Sequence, residues 1–360
     1  MAYESDQTVV TSALKTSSTE VFTDAVISQI LALSNANGGT MTVTQLTADP
    51  APATLDLSTT TSGLVFLNAN AAPTGTDTVV GGEGATIVLG GTAGANVTFA
   101  PKQASAGGVV QGASGGVADA GVERIVVHSA QADKITVADG INTEIIVGDK
   151  DTVVAGNGYD TVVAAQGDST VTGGTAGHTI LKAAGAVADY TVTEASGTVK
   201  IHSAVTGVDV TVDNIQYVQL DNNKALVFAN NATEASIATL YHGIFGRTGD
   251  AYGLEFYFNA VDRGANLKSI ADAMLKSAEY TAAHTTAVTN DAFLASLYTN
   301  ILGRTGDAAG LKYYGDLLTA GTSRADVAAA FADIAGKQLA TGTGTETKIV
   351  AGISVIEGII

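Results

Sequence analysis

Oxygen-bearing side chains recur at eighteen-residue spacing in the middle of this chain, Asp133 with Asp151 and Asn142 with Asp160. If one coil of backbone takes that many residues, such pairs stack along two edges and present hard oxygen donors. Those donors suit calcium, which takes roughly six to eight of them. Asp149, Asn157 and Asp168 add donors, and Gly148, Gly156 and Gly158 leave neighbouring carbonyls accessible. These residues are the candidate calcium ligands, set against a coil that needs no ion. Continued along each edge, Asp151 meets Ser169 and Asp160 meets His178, so the ladder is expected to run out there. Asp77 faces Ala95 or Asn96, a weaker pairing.

Catalytic chemistry has less to draw on. His128, His178, His202, His242 and His284 have no second His, Glu or Cys at the spacing of a transition-metal site. There is no G-x-S-x-G elbow, no Cys nucleophile and no H-E-x-x-H helix. Aromatic residues that could line a glycan groove are few before Thr191, Phe66, Phe99, Tyr159 and Tyr190 among them. The expectation is therefore not an enzyme, with polysaccharide processing kept as a third reading. Arg247 with Asp250, and Arg304 with Asp307, suggest binding sites. The simpler reading is that each Asp caps the following helix while the Arg pairs with it or with a neighbouring carboxylate.

The elements that must position these groups are repeats. Blocks of nine run from Ile146, Ala155, Ala164 and Gly173, with Ile135, Val153, Val162, Val171 and Ile180 in phase and Gly, Asp or Asn gathered before them. A unit this short cannot bury its own apolar residue. Stacked units share one narrow core, which is the logic of a β-solenoid. Gly81 to Leu89 fits G-G-x-G-x-D-x-U-x with Thr86 in place of Asp. These blocks resemble RTX nonapeptide repeats, whose glycines and Asp form calcium-binding turns in a parallel β-roll. The resemblance implies Ca2+ as the cofactor.

The composition agrees with a cation-attracting exterior. Among 360 residues there are 35 acidic against 17 basic, a net charge of −18, which repels nucleic acid and anionic lipid. The absence of Cys removes disulfides and thiolate metal sites. The acidic start, Met1 to Asp6, lacks the basic and apolar regions of a cleavable signal peptide, and no stretch is long enough to span a membrane.

Taken in order, Val21, Phe22, Ala25, Val26, Ile30 and Leu33 form one helical face, with Ser18 at its first turn and a stop at Asn35 to Gly39. Residues 1–40 are expected to cap the first solenoid turn, or to bind a partner. Alternating strands then predict a solenoid over residues 41–230, interrupted by a Gly-, Ala- and Ser-rich insertion from Gln103 to Gly121 and closed by longer strands ending near Asp221. From residue 231 to 338 the period turns helical. Leu240 to Leu254 aligns with Leu297 to Leu311 at a 57-residue offset, with Asn266 and Ser323 as N-caps, and the second copy lacks Ser277-Ala-Glu279-Tyr280. This pattern resembles a domain of unknown function, built of short helical repeats, found near the C-termini of many type I secreted and surface proteins. Residues 339–360 read as a linker and an apolar end. That end is similar to the uncleaved C-terminal signal of type I secretion substrates; otherwise it docks on the helical domain as a last strand or helix.

The predicted architecture is an N-terminal cap helix, an RTX-like parallel β-solenoid and an all-α helical repeat domain. The resemblances and the composition imply a secreted, self-assembling structural protein of the bacterial cell surface, a surface-layer, matrix or filament subunit assisted by calcium. The expected partners are copies of itself, the type I secretion apparatus and a surface glycan or lipopolysaccharide. The alternative is a calcium-dependent adhesin that binds a glycan or surface protein.

Overall fold

The computed structural model describes residues 2–17, 21–34, 40–48, 50–58, 63–101, 121–174, 179–195, 198–215, 217–221, 225–229, 231–247, 249–284, 287–340, 347–350 and 353–357. His178, the 103–120 part of the insertion, the helix stop at 35–39 and the linker at 341–346 lie outside them. The chain divides into two units, Met1–Ala184 with Asp189–Ile215, and Gly185–Ala188 with Gln216–Ile360.

The first unit opens with Ala2–Asp6 (β1), Gln7–Ser17 (α1) and Asp24–Leu33 (α2). Short strands follow at Thr40–Ala48 (β2), Thr54–Leu57 (β3), Gly63–Ala69 (β4), Asp77–Gly81 (β5), Ala85–Gly91 (β6), Asn96–Ala100 (β7) and Arg124–Val127 (β8). They continue as Lys134–Val137 (β9), Thr143–Gly148 (β10), Asp151–Val154 (β11), Asp160–Gln166 (β12), Ser169–Thr172 (β13) and Thr179–Lys182 (β14). Even-numbered strands β2 to β14 stack in parallel in one sheet and odd-numbered strands β3 to β13 in another, which makes a parallel β-solenoid. Tyr190–Ala195 (β15), Thr198–Ser203 (β16) and Asp209–Asp213 (β17) extend the second sheet, with β17 parallel to β13.

The aliphatic beat is the core. Ile135, Val153 and Val171 pair in register on one sheet, Val126, Ile145, Val162 and Leu181 on the other, and all seven are buried. Two registers differ from the eighteen-residue expectation, that of β10 with β12 and that of β12 with β14. Asp160 pairs with Thr179, and Leu181 rather than Ile180 sits beside Val162. Glu144 lies opposite Thr161, seventeen residues on, and Asp160 opposite Thr179, nineteen on, so successive coils of this sheet differ in length and the strict beat drifts.

α1 and α2 do more than close an end. Val10, Leu14, Phe22, Ile27 and Ile30 share a core with Met41, Leu64, Val88, Ile125, Val127 and Ile146, which come from β2, β4, β6, β8 and β10. Every residue of β8 and β10 is buried, so that part of the sheet is covered on both faces. The second helix begins later than expected: Thr23 is its N-cap, accepting from the Val26 N–H at 3.3 Å.

The second unit contains Tyr217–Gln219 (β18), Ala225–Ala229 (β19), Ala232–Phe245 (α3), Ala251–Asp262 (α4), Leu267–Leu275 (α5) and Ala278–Ala283 (α6). Asn290–Leu302 (α7), Ala308–Thr319 (α8), Arg324–Ala340 (α9), Thr347–Val350 (β20) and Ile353–Glu357 (β21) complete it. It is not all-α. β19 pairs antiparallel with both β18 and β21, so this unit also takes in strands from either side of the helices, and the apolar end forms one of them. The helical repeats end alike: Gly246 and Gly303 take left-handed C-caps at φ 67° and 60°, where a side chain would be strained.

Candidate functional site

The recurrent carboxylates sit where each short strand leaves a turn, and they point inward. Asp151 Oδ2 accepts the Gly148 N–H of its own turn at 2.7 Å, and Oδ1 accepts the Asp133 N–H one coil earlier at 2.8 Å. Asp133 repeats the arrangement, taking Ser129 N–H at 2.6 Å and Ala95 N–H at 2.7 Å, with the Ser129 hydroxyl at 3.1 Å. On the other edge Asp160 takes Gly156 N–H at 2.8 Å and Thr143 N–H at 3.0 Å. Asp77 takes Ala53 N–H at 2.9 Å. Each carboxylate thus closes its own turn or ties it to the coil before, satisfying backbone donors that a tight corner leaves without a strand partner. Where the Asp is replaced the pattern weakens: Thr179 keeps only the turn bond, from Gly174 N–H at 3.0 Å, and the buried Ser169 Oγ has no partner among the described residues.

Of the ten expected ligands, Asp149, Asn157 and Asp168 are exposed and the other seven are buried. Asn142 stands over Tyr159 rather than Asp160, accepting its N–H at 3.0 Å and donating to the Gly121 carbonyl at 3.1 Å. Asp149, Asn157 and Asp168 lie on the outside of the turns. Asp149 pairs with Lys150 at 2.9 Å, and Asp168 accepts the Asp209 N–H at 2.8 Å. The glycines allow close stacking of coils. A Cβ on Gly156 would lie 2.6 Å from the Val137 oxygen, one on Gly158 2.7 Å from the Ile141 oxygen, and one on Gly148 2.2 Å from the His128 ring. Among the described residues no group of three or more His, Asp or Glu comes together that could hold a metal ion.

Burial governs the electrostatics of these corners. Loss of water raises the carboxyls of Asp151 and Asp160 to about 6, outweighing the N–H donors that favour the ionised form, and it raises Asp133 in the same direction. A second buried group escaped the sequence reading. Arg124 is fully buried between the sheets, bonded through both terminal nitrogens to Asp139 at 2.8 and 2.9 Å and to the Thr143 hydroxyl at 2.8 Å. Its guanidinium lies 4.2 Å from the Phe99 ring centroid. The signal was present in the alternation: Arg124 is two residues before the inward-facing Val126.

In the second unit Asp250 and Asp307 are N-caps, accepting Gly253 N–H and Gly310 N–H at 2.8 Å each. Arg247 and Arg304 reach back to those carboxylates at 3.4 and 3.3 Å. Both Asn266 and Ser323 accept the N–H three residues on, at 2.9 and 3.1 Å. The cap reading of these motifs therefore describes their main contacts.

A family described as a domain of unknown function (DUF4214) matches residues 224–284 and 271–335. No curated protein and no solved structure matches the chain. The family covers the helical repeats and leaves the solenoid without a named relative.

Proposed function

We propose that this chain is a secreted structural protein of the bacterial cell surface, a surface-layer or matrix subunit that assembles with copies of itself. The observation that supports this is the use made of the carboxylates: in Asp133, Asp151 and Asp160 both oxygens bind backbone N–H groups of successive coils. Side chains that could act as acid, base or ligand instead make a rod whose coils are tied to one another. Export by a type I system, through its apparatus, follows from the RTX-like repeats and the apolar end.

In this reading calcium acts outside the coil. Asp149 and Asp168 are exposed on the turns, and copies with a net charge of −18 repel one another until a divalent cation bridges their acidic edges. A surface glycan or lipopolysaccharide is the anchor. Negative-stain microscopy of the pure protein with millimolar calcium and with a chelator tests the proposal. Ordered sheets or filaments that disperse on chelation are expected, and monodisperse monomers in both conditions overturn it.

One observation favours an adhesin as the second reading. Phe256 and Tyr313 occupy matching places in the two helical repeats and are 63% and 61% exposed, an apolar surface on each repeat for a sugar face or partner. A glycan array distinguishes the readings: binding lost in a Phe256→Ala, Tyr313→Ala variant favours the adhesin.

A further inference from the structure

The two helical repeats differ at one ion pair. In the first, the chain breaks after α5, Ser277 caps α6, and Glu279 in the first turn of α6 grips Arg247, Oε1 to Nε at 2.6 Å and Oε2 to Nη2 at 2.9 Å. Arg247 also lies over the Tyr241 ring, 5.2 Å from its centroid. In the second repeat Arg304 lies over Tyr298 at the same 5.2 Å and meets Asp307 as Arg247 meets Asp250. There is no break, because α9 runs on to Ala340. Gly336 stands at the position of Glu279, and a Cβ there would lie 2.0 Å from the Ser236 Oγ on α3. The close crossing of α9 and α3 thus excludes the side chain that would complete the pair. Asp307 is the only carboxylate within ion-pair distance of Arg304 among the described residues.

We propose that Arg304 is the receiving half of a contact between copies, in which an acidic side chain of a second copy takes the place that Glu279 fills on Arg247. The first repeat shows what this Arg and its aromatic neighbour hold: a carboxylate gripped by two nitrogens, a geometry that a lysine cannot reproduce. The occupant is a copy of this chain because its surface is rich in what Arg304 takes, with 35 acidic residues against 17 basic ones. A contact from Arg304 to a carboxylate elsewhere on the next copy joins two different surfaces, so it builds a ring or an open filament and not a two-fold dimer. This inference rests on the self-assembly reading above and names one of its contacts.

Sedimentation velocity of the full chain, in calcium and at several concentrations, tests it through Arg304→Glu, Arg304→Lys and Arg247→Glu. Arg304→Glu is expected to weaken self-association roughly tenfold or more, the scale of a charge-assisted hydrogen-bonded pair, with the melting temperature unchanged. Arg304→Lys should fall between, and Arg247→Glu should assemble like the wild type. Assembly of wild type and Arg304→Glu at equal affinity overturns this contact and leaves the self-assembly reading standing. A wild type that stays monomeric but binds a uronate polysaccharide through Arg304 overturns both.

Discussion

Asp160 carries the corner chemistry in its simplest form, one carboxylate with two N–H donors in a site that excludes water. Replacing it with Asn leaves one acceptor and turns an N–H2 toward a donor. Asp160→Asn is therefore expected to cost about 1–3 kcal/mol, the penalty of an unsatisfied buried group, measurable by urea unfolding. The titration has a definite sign. The folded values of Asp151 and Asp160, about 6, lie above the ordinary 3.8, so the folded chain binds these protons more tightly than the unfolded one. The contribution of Asp160 is full below about pH 4 and is lost as the pH rises through 6, on the order of 3 kcal/mol, and that of Asp151, beside Asp133, runs in the same direction. The melting temperature should fall from pH 5 to pH 7, and Asp160→Asn should flatten that fall; a melting temperature that rises over this interval contradicts the assignment. The Arg124–Asp139 pair is a separate case, since neither charge is near water. Asp139→Ala strands a buried guanidinium and should cost about 3–5 kcal/mol, whereas replacing both residues with apolar ones of similar volume should cost far less.

At the scale of elements, the parts legible in the sequence were those with local causes. Ile135, Val153 and Val171 are in phase because the two coils between them take 18 residues each, and the Gly246 and Gly303 stops and the Asp250 and Asp307 caps depend only on their own turns. The parts that were not legible depend on what comes from elsewhere in the chain. α1 carries its apolar residues at Val10 and Leu14 with exposed Val9 beside them, a weak stripe that acquires meaning only once a sheet is there to cover. Asp133 and Asp151 resemble calcium ligands in sequence, and only the fold shows that each also accepts an N–H from the coil before. The covering helices are testable as such: Leu14→Ala should destabilise the first unit by about 2–5 kcal/mol, the range for a fully buried leucine, read by thermal unfolding. Glu279→Ala removes a pair that is 43% exposed on both sides, so its cost to stability should stay within about 1 kcal/mol.

Across the whole molecule, the corner carboxylates do within the fold what a bound ion does in a metal-closed turn: they neutralise and orient converging backbone dipoles. In the proposed reading the acidic exterior serves contacts between molecules, where calcium would promote assembly and salt would weaken it. Folding and assembly should therefore respond differently to the same ion. The measurement that separates them is the thermal unfolding of dilute, monomeric protein in millimolar calcium and in excess chelator. Melting temperatures that agree within about 2 °C are expected, since an ion that does not bind the folded coil adds nothing to its stability. A melting temperature many degrees lower in chelator, or a chain that fails to fold without calcium, would contradict corners closed by hydrogen bonds alone.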